Sequence, residues 1–179
     1  MSGQDVAFQI LRLLETPGVG VVKTNSIIES VGGDLGPERL EKVLKQKTIQ
    51  GYRSNRENVT SDWLNLQNEA VKCITILDEN YPKQLKKLLQ KKAPPLLMVH
   101  GNHQLLNKRS AGFCGSRKAS NKGIATAKYC ADQLAGEGIN IVSGYAAGVD
   151  MATHRAALEC GGTTTLVLCE GILNFRKKR

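Results

Sequence analysis

At 179 residues, with 41% apolar side chains, 18 glycines and a formal net charge of +9, the chain is long enough for one full domain, or for a small domain and most of a second. That composition excludes a disordered or fibrous protein. The absence of a basic leader and of any apolar run of about 18 residues excludes an exported or membrane-spanning chain, so a cytoplasmic protein is expected. Aromatic residues make up only 4%, so the core must come from Leu, Ile, Val and Ala, and base stacking is not expected to dominate any ligand contact.

Val6, Ile10, Leu13 and Leu14 recur at helical spacing and predict a first helix over residues 5 to 15, stopped by Thr16, Pro17 and Gly18. A second short helix is expected around Val22, Ile27, Ile28 and Val31, ending at Gly32 and Gly33. The two helices and the TPGVG between them resemble a helix-hairpin-helix, in which Gly18 and Gly20 let backbone N–H groups approach a DNA phosphate; a tight turn with only a packing role reads equally well. Pro37 opens a third helix to about residue 47, and a fourth runs from about Thr60 to Lys72 around Trp63, Leu66 and Val71. The stretch QGYRSNREN between them is read as a polar loop.

At Cys73 the period changes. CITIL reads as a strand, YPKQLKKLL as a helix, and PPLLMVHGN as a prolyl turn into a strand. A regular alternation follows: strand 110 to 114, helix 120 to 136, strand 139 to 143, helix 149 to 160 and strand 163 to 169. Strands alternating with helices of this length imply βαβ crossovers and a parallel sheet covered on both faces. Ile124, Ala127, Ala131 and Leu134 form the inward stripe of the first crossover helix. The expected organisation is therefore α/β. Residues 1–70 form a small all-α domain of helix-hairpin-helix (SAM-like) type, and residues 71–179 a Rossmann-like domain with a parallel sheet.

Charge follows this division. Residues 1 to 70 carry 8 basic and 9 acidic side chains, residues 71 to 109 carry 8 and 2, and residues 110 to 179 carry 9 and 5. A basic block beside a glycine-rich α/β pattern points to a polyanionic partner, although a solvated face would look the same. Lys83, Lys86, Lys87, Lys91 and Lys92 pose that choice most directly. The five cysteines, at 73, 114, 130, 160 and 169, include no C-x-x-C pair and no histidine at ligand spacing, so neither disulfides nor a metal site is indicated. Cys73, Cys114, Cys130 and Cys169 fall in apolar runs or faces, where a thiol packs as a small hydrophobe.

Open α/β sheets bind ligands where their strands end and their helices begin. The first such turn reads GFCGSRKAS. Gly115 permits a tight bend, Ser116 offers a hydroxyl, Arg117 a fork of donors for phosphate, and Ser120 a cap for the helix whose positive end favours an anion. The second reads VSGYAAGVD, with Ser143, Gly144 and Gly148 at the bend and Asp150 placed to cap the next helix. Neither is a GxGxxG or GxxxxGK[ST] sequence, so no dinucleotide or nucleoside-triphosphate cofactor is expected, and an anion site remains. Asp150 and His154, four apart, are read as a cap and a locally satisfied histidine rather than a catalytic pair, and no serine sits in a G-x-S-x-G setting. The terminal RKKR receives no role.

The ordered blocks YP, LLQKKAPPLLMVHGN, GSRKAS, SGYAAGVDMATHRAAL and GGTTTLVLCEGI resemble the DNA-processing protein A (DprA/Smf) family across residues 74 to about 173. The resemblance implies a helical domain followed by a Rossmann-like domain that binds and protects single-stranded DNA without catalysis. It also implies help in loading a RecA-type recombinase during natural transformation. The implied partners are single-stranded DNA and that recombinase, with a homodimer left open and no membrane. Gly115, Ser116, Arg117 and Ser120 would form the first phosphate turn and Ser143, Gly144, Gly148 and Asp150 the second, with His154 and Arg155 on the helix that follows. Two departures stand out: Ala147 replaces a residue that is basic in many members, and the chain ends at FRKKR where members continue, so the sheet is expected to be incomplete on its C-terminal side. Two other classes share the pattern. A phosphoribohydrolase of the LONELY GUY type needs PGGxGTxxE, to which CGGTTTLVLCEG does not conform, and a nucleotide-sensing module would use the same loops.

Overall fold

The first helix, α1 (Gly3–Leu14), starts at a reciprocal cap: the Ser2 hydroxyl accepts from the Asp5 N–H at 3.2 Å while the Asp5 carboxylate accepts from the Ser2 N–H at 2.9 Å. It buries Ala7, Ile10, Leu11 and Leu13 and ends ahead of Pro17. A computed structural model describes residues 2–175, and the terminal Arg176, Lys177, Lys178 and Arg179 lie outside them.

After Gly20 comes α2 (Val21–Ser30), then α3 (Pro37–Val43) with proline at its first turn. The stretch expected as a polar loop is helical: α4 (Gln46–Ser54) and α5 (Arg56–Asn68) meet at Asn55, whose amide donates to the Arg12 carbonyl at 2.8 Å. Two inward side chains three residues apart, Ile49 and Tyr52, suffice to bury α4, too sparse a stripe to show as periodicity. Tyr52 also carries the Arg12 guanidinium 3.9 Å above its ring and takes its charge through the Tyr52 carbonyl.

Strand β1 (Lys72–Thr75) pairs antiparallel with β2 (Leu96–Val99), from Lys72 opposite Val99 to Thr75 opposite Leu96, with α6 (Lys83–Leu89) in the connection. This ribbon belongs with the helices. Asn25 of α2 donates to the carbonyls of Lys91 and Ala93 at 2.9 and 2.8 Å, and the Tyr81 hydroxyl donates to Pro94 at 2.8 Å. The first compact unit accordingly ends at His103 and the second begins at Gln104, so the division by packing differs from the division after residue 70 drawn from the change of period. Of the lysine cluster, Lys86 donates to the Ile76 carbonyl at 3.1 Å and Lys91 pairs with Glu29 at 3.6 Å.

The second unit contains β3 (Ser110–Gly112), α7 (Asn121–Gly136), β4 (Asn140–Ser143), α8 (Val149–Glu159) and β5 (Thr164–Leu166), in a parallel sheet of order β3-β4-β5. Ala111 stands opposite Ile141, and Ile141 opposite Thr164. The fold is α/β, Rossmann-like, preceded by helices. Ala131 and Ala135 of α7 meet Ala156 and Ala157 of α8 over Ile141, with Leu134 beside them. Because consecutive crossovers step in one direction, both α-helices of this unit lie on one face of the sheet, where a sheet covered on both faces was expected.

The last strand is shorter than the expected 163 to 169, although Val167 still donates to the Ser143 carbonyl at 2.9 Å. Cys114, Cys130 and Cys169 are exposed and Cys73 is half-buried. The first and third lie past the ends of strands, and Cys130 stands off the inward stripe of α7, so apolar neighbours in sequence did not bring burial. Among the described residues no helix is long and apolar enough to cross a membrane.

Candidate functional site

Two bends meet at the carboxyl ends of β3 and β4. Phe113 extends the pairing by donating to the Val142 carbonyl at 2.8 Å, and the chain then turns through Gly115, Ser116 and Arg117. The Ser116 hydroxyl accepts from the Lys118 N–H at 3.1 Å, which closes the turn locally. Ser120, in extended backbone, accepts from the Gly123 N–H at 3.2 Å and caps α7 as expected of it. All four of these side chains or backbones, Gly115, Ser116, Arg117 and Ser120, are exposed.

The second bend runs from Ser143 to Gly148 and interlocks with the first. The Val149 N–H donates to the Ser116 carbonyl at 3.3 Å. Gly148 has φ +85°, and a Cβ there would overlap the Ser116 carbonyl oxygen and lie 2.9 Å from Cα of Arg117. A Cβ at Gly115 would lie 2.5 Å from Val149 Cγ2. Both glycines are thus required by close approach, one from each side.

The other predicted residues of the second bend hold it in place. Ser143 is 5% exposed, and its hydroxyl donates to the Phe113 carbonyl at 2.8 Å, pinning one bend to the other. Asp150 does not cap α8: the N-cap is Gly148, and the buried Asp150 carboxylate instead accepts from the Ala146 N–H at 3.4 Å, one turn back inside the loop. A cap must precede the first helical turn, and Asp150 already lies within it.

His154 is buried with both ring nitrogens engaged, Nε2 on the Gly144 carbonyl and Nδ1 on the Thr164 hydroxyl, each at 2.6 Å. Thr164 has a second acceptor in the Ile141 carbonyl at 2.8 Å. Nε2 therefore donates to Gly144, and Nδ1 either accepts from Thr164 or, when Thr164 turns to Ile141, donates to it. With Asp150 bonded to the loop and His154 to the sheet, the two do not form an acid–base pair with each other.

What remains free to meet a ligand is the rim. Among the described residues, the backbone N–H groups of Gly115, Ser116, Arg117 and Ala147 find no acceptor, and no carboxylate pairs with Arg117 or with exposed Arg155. Unpaired N–H groups at a bend, a guanidinium and the capped start of α7 together suit an anion. Sequence reasoning brought the right segments together but missed Phe113, Ala146, Val149 and Thr164, which position them. Only Thr164, a polar residue within an apolar strand, carried a signal of its own.

Comparison with known proteins bears on what this site serves. The sequence model of the family described as DNA recombination-mediator protein A matches residues 72–178. DNA processing protein DprA of Streptococcus pneumoniae is 38% identical over 104 residues, covering 58% of this chain and 36% of that protein. Protein Smf of Escherichia coli is 32% identical over 117 residues, covering 65% and 30%. The chain thus spans about a third of the length of these curated relatives. The X-ray structure of DprA from S. pneumoniae superimposes with a TM-score of 0.76 at 26% identity, over 96% of this chain and 60% of that one. The matched stretch opens at β1, some thirty residues ahead of the division between the compact units.

Proposed function

The chain belongs to the DNA recombination-mediator protein A family, and from that premise we propose that it holds the sugar-phosphate backbone of single-stranded DNA at the two bends, in a DNA-processing role without covalent chemistry. The observation that carries this reading is the interlock: Gly148 against Ser116 leaves the N–H groups of Gly115, Ser116 and Arg117 facing outward beside an unpaired guanidinium. Such a rim reads phosphates and leaves base identity unread, so binding tolerates any sequence and weakens with salt.

Gly115, Ser116 and Arg117 contact phosphate, with Ser120 supplying the helix end beside them. Gly144, Gly148, Ser143 and Asp150 shape the second bend, the last two from within. Residues 71–179 carry the binding, and residues 1–70 are an accessory helical domain. The implied partner beyond DNA is a RecA-type recombinase, and the setting natural transformation.

The test is fluorescence anisotropy of labelled single-stranded oligonucleotides across a salt series. Arg117→Ala is expected to weaken binding equally for all sequences and to reduce the slope of log K against log salt by about 0.7, the value for one phosphate contact on a single strand. An unchanged slope and affinity removes Arg117 from the interface. Tight, salt-insensitive binding of a mononucleotide, with none of an oligonucleotide, replaces the reading with a nucleotide-sensing one.

A further inference from the structure

Beside the second bend, between α7 and α8, lies a groove of about 490 Å³ lined by Ile124, Lys128, Tyr145, Ala147, Met151 and Arg155, a size within the range of small-ligand sites. We infer that this groove is a second subsite of the same interface, taking the base of the neighbouring nucleotide on its apolar floor and the adjoining phosphates on Lys128 and Arg155. The inference rests on the reading of the bends given above.

Three observations carry it. The first is continuity: Gly148 lines the groove and also abuts Ser116 and Arg117, so a chain of nucleotides leaving the bends enters the groove directly. The second is charge. Lys128 and Arg155 are exposed, and each has a carboxylate four residues on along its own helix, Asp132 and Glu159, at the spacing that forms surface ion pairs. Among the described residues neither pair forms, and Asp132 instead accepts from Gln133 at 3.2 Å. Two uncompensated cations thus flank one apolar floor. The third is the aromatic wall. Tyr145 is half-buried and braced by Phe175, with ring centroids 5.1 Å apart and planes at 71°, which fixes a ring for stacking where the chain has few. A bare anion would need only the cations, and an apolar peptide would find two unpaired charges at the rim. A nucleotide unit uses both features.

The experiment compares oligothymidylate with an oligonucleotide of equal length, about a dozen units, lacking bases, by anisotropy across salt. The variants are Lys128→Gln with Arg155→Gln, and separately Tyr145→Leu. The double variant is expected to lower the salt slope by about 1.4, twice the single-contact value, with the circular-dichroism spectrum unchanged because both residues are exposed. Tyr145→Leu is expected to reduce the preference for oligothymidylate over the abasic strand several-fold while leaving the slope intact. A double variant with the slope and affinity of the unchanged protein, when Arg117→Ala has lost affinity, overturns the groove and leaves the bends standing. Failure of the unchanged protein to bind either strand overturns the reading of the bends, and the groove with it.

Discussion

Replacing Gly148 with alanine tests the interlock most directly. The residue sits at φ +85°, ψ −128°, a region that side chains almost never enter and that costs roughly 1–3 kcal/mol. The new methyl group would also overlap the Ser116 carbonyl, which cannot move without giving up the Val149 N–H, a further loss of about 1 kcal/mol. Together these predict a destabilisation of about 3 kcal/mol, a change of roughly two orders of magnitude in the folding constant. The only tryptophan, Trp63, lies in the first unit, so fluorescence would report on the wrong part of the chain. Hydrogen exchange of the β4 amides, such as Ile141 bonded to the Thr163 carbonyl, reads the second unit alone. Gly136→Ala serves as the control. It closes α7 with no atom within 4 Å of the added carbon, and should stabilise by no more than about 1 kcal/mol. If Gly148→Ala left protection within about 0.5 kcal/mol of the unchanged protein, the two bends would not be touching as described.

Other substitutions probe the supports. His154→Leu is expected to cost about 2 kcal/mol by stranding the Gly144 carbonyl; because it loosens the second bend, DNA affinity should fall while the salt slope stays constant, and a lowered slope would instead make His154 a direct contact. Arg12→Ala is expected to cost about 3 kcal/mol in urea unfolding of the first unit, since it removes the donors to the Tyr52 carbonyl and Gln9 and the cation above the Tyr52 ring; a neutral outcome would mean the buried guanidinium contributes nothing net. Burial pushes the Cys73 thiol up to about 11 from 9.0. The neutral thiol's contribution to stability is therefore complete below pH 9 and lost as pH rises through 11. Alkylation mapped by mass spectrometry at pH 8 should reach exposed Cys114, Cys130, Cys160 and Cys169 well before Cys73, and equal rates would contradict that burial.

The alternation of strands and helices after residue 109 was legible because each element there has its own period and each turn its own glycines, and the boundaries of α7, β4 and α8 fall within a residue of those expected. The helix-stripe of Ile124, Ala127, Ala131 and Leu134 is likewise the packed face. The ribbon of β1 and β2 was misplaced for a definite reason. A strand's sequence records that it pairs, not with what, and only Asn25 and Tyr81, reaching carbonyls 66, 68 and 13 residues away, decide the partner. At the site, glycine, arginine and capping serine could be read from their types. The inward roles of Ser143, Asp150 and His154 could not, since a polar residue at a strand end serves a ligand or the backbone equally well until its neighbours in space are known.

The alanine seam between α7 and α8 reaches further than the core it fills. Methyl groups at 131, 135, 156 and 157 are the only spacers there, so the two helices approach as closely as their backbones permit, and each helix begins at one of the bends. The width of the ligand-facing gap is therefore gauged at a distance, by the smallest chiral side chain, rather than by the loops that border it. Loop residues can drift in evolution without retuning that gap, whereas one added methylene in the seam would wedge the helix starts apart and detune every contact at the rim together.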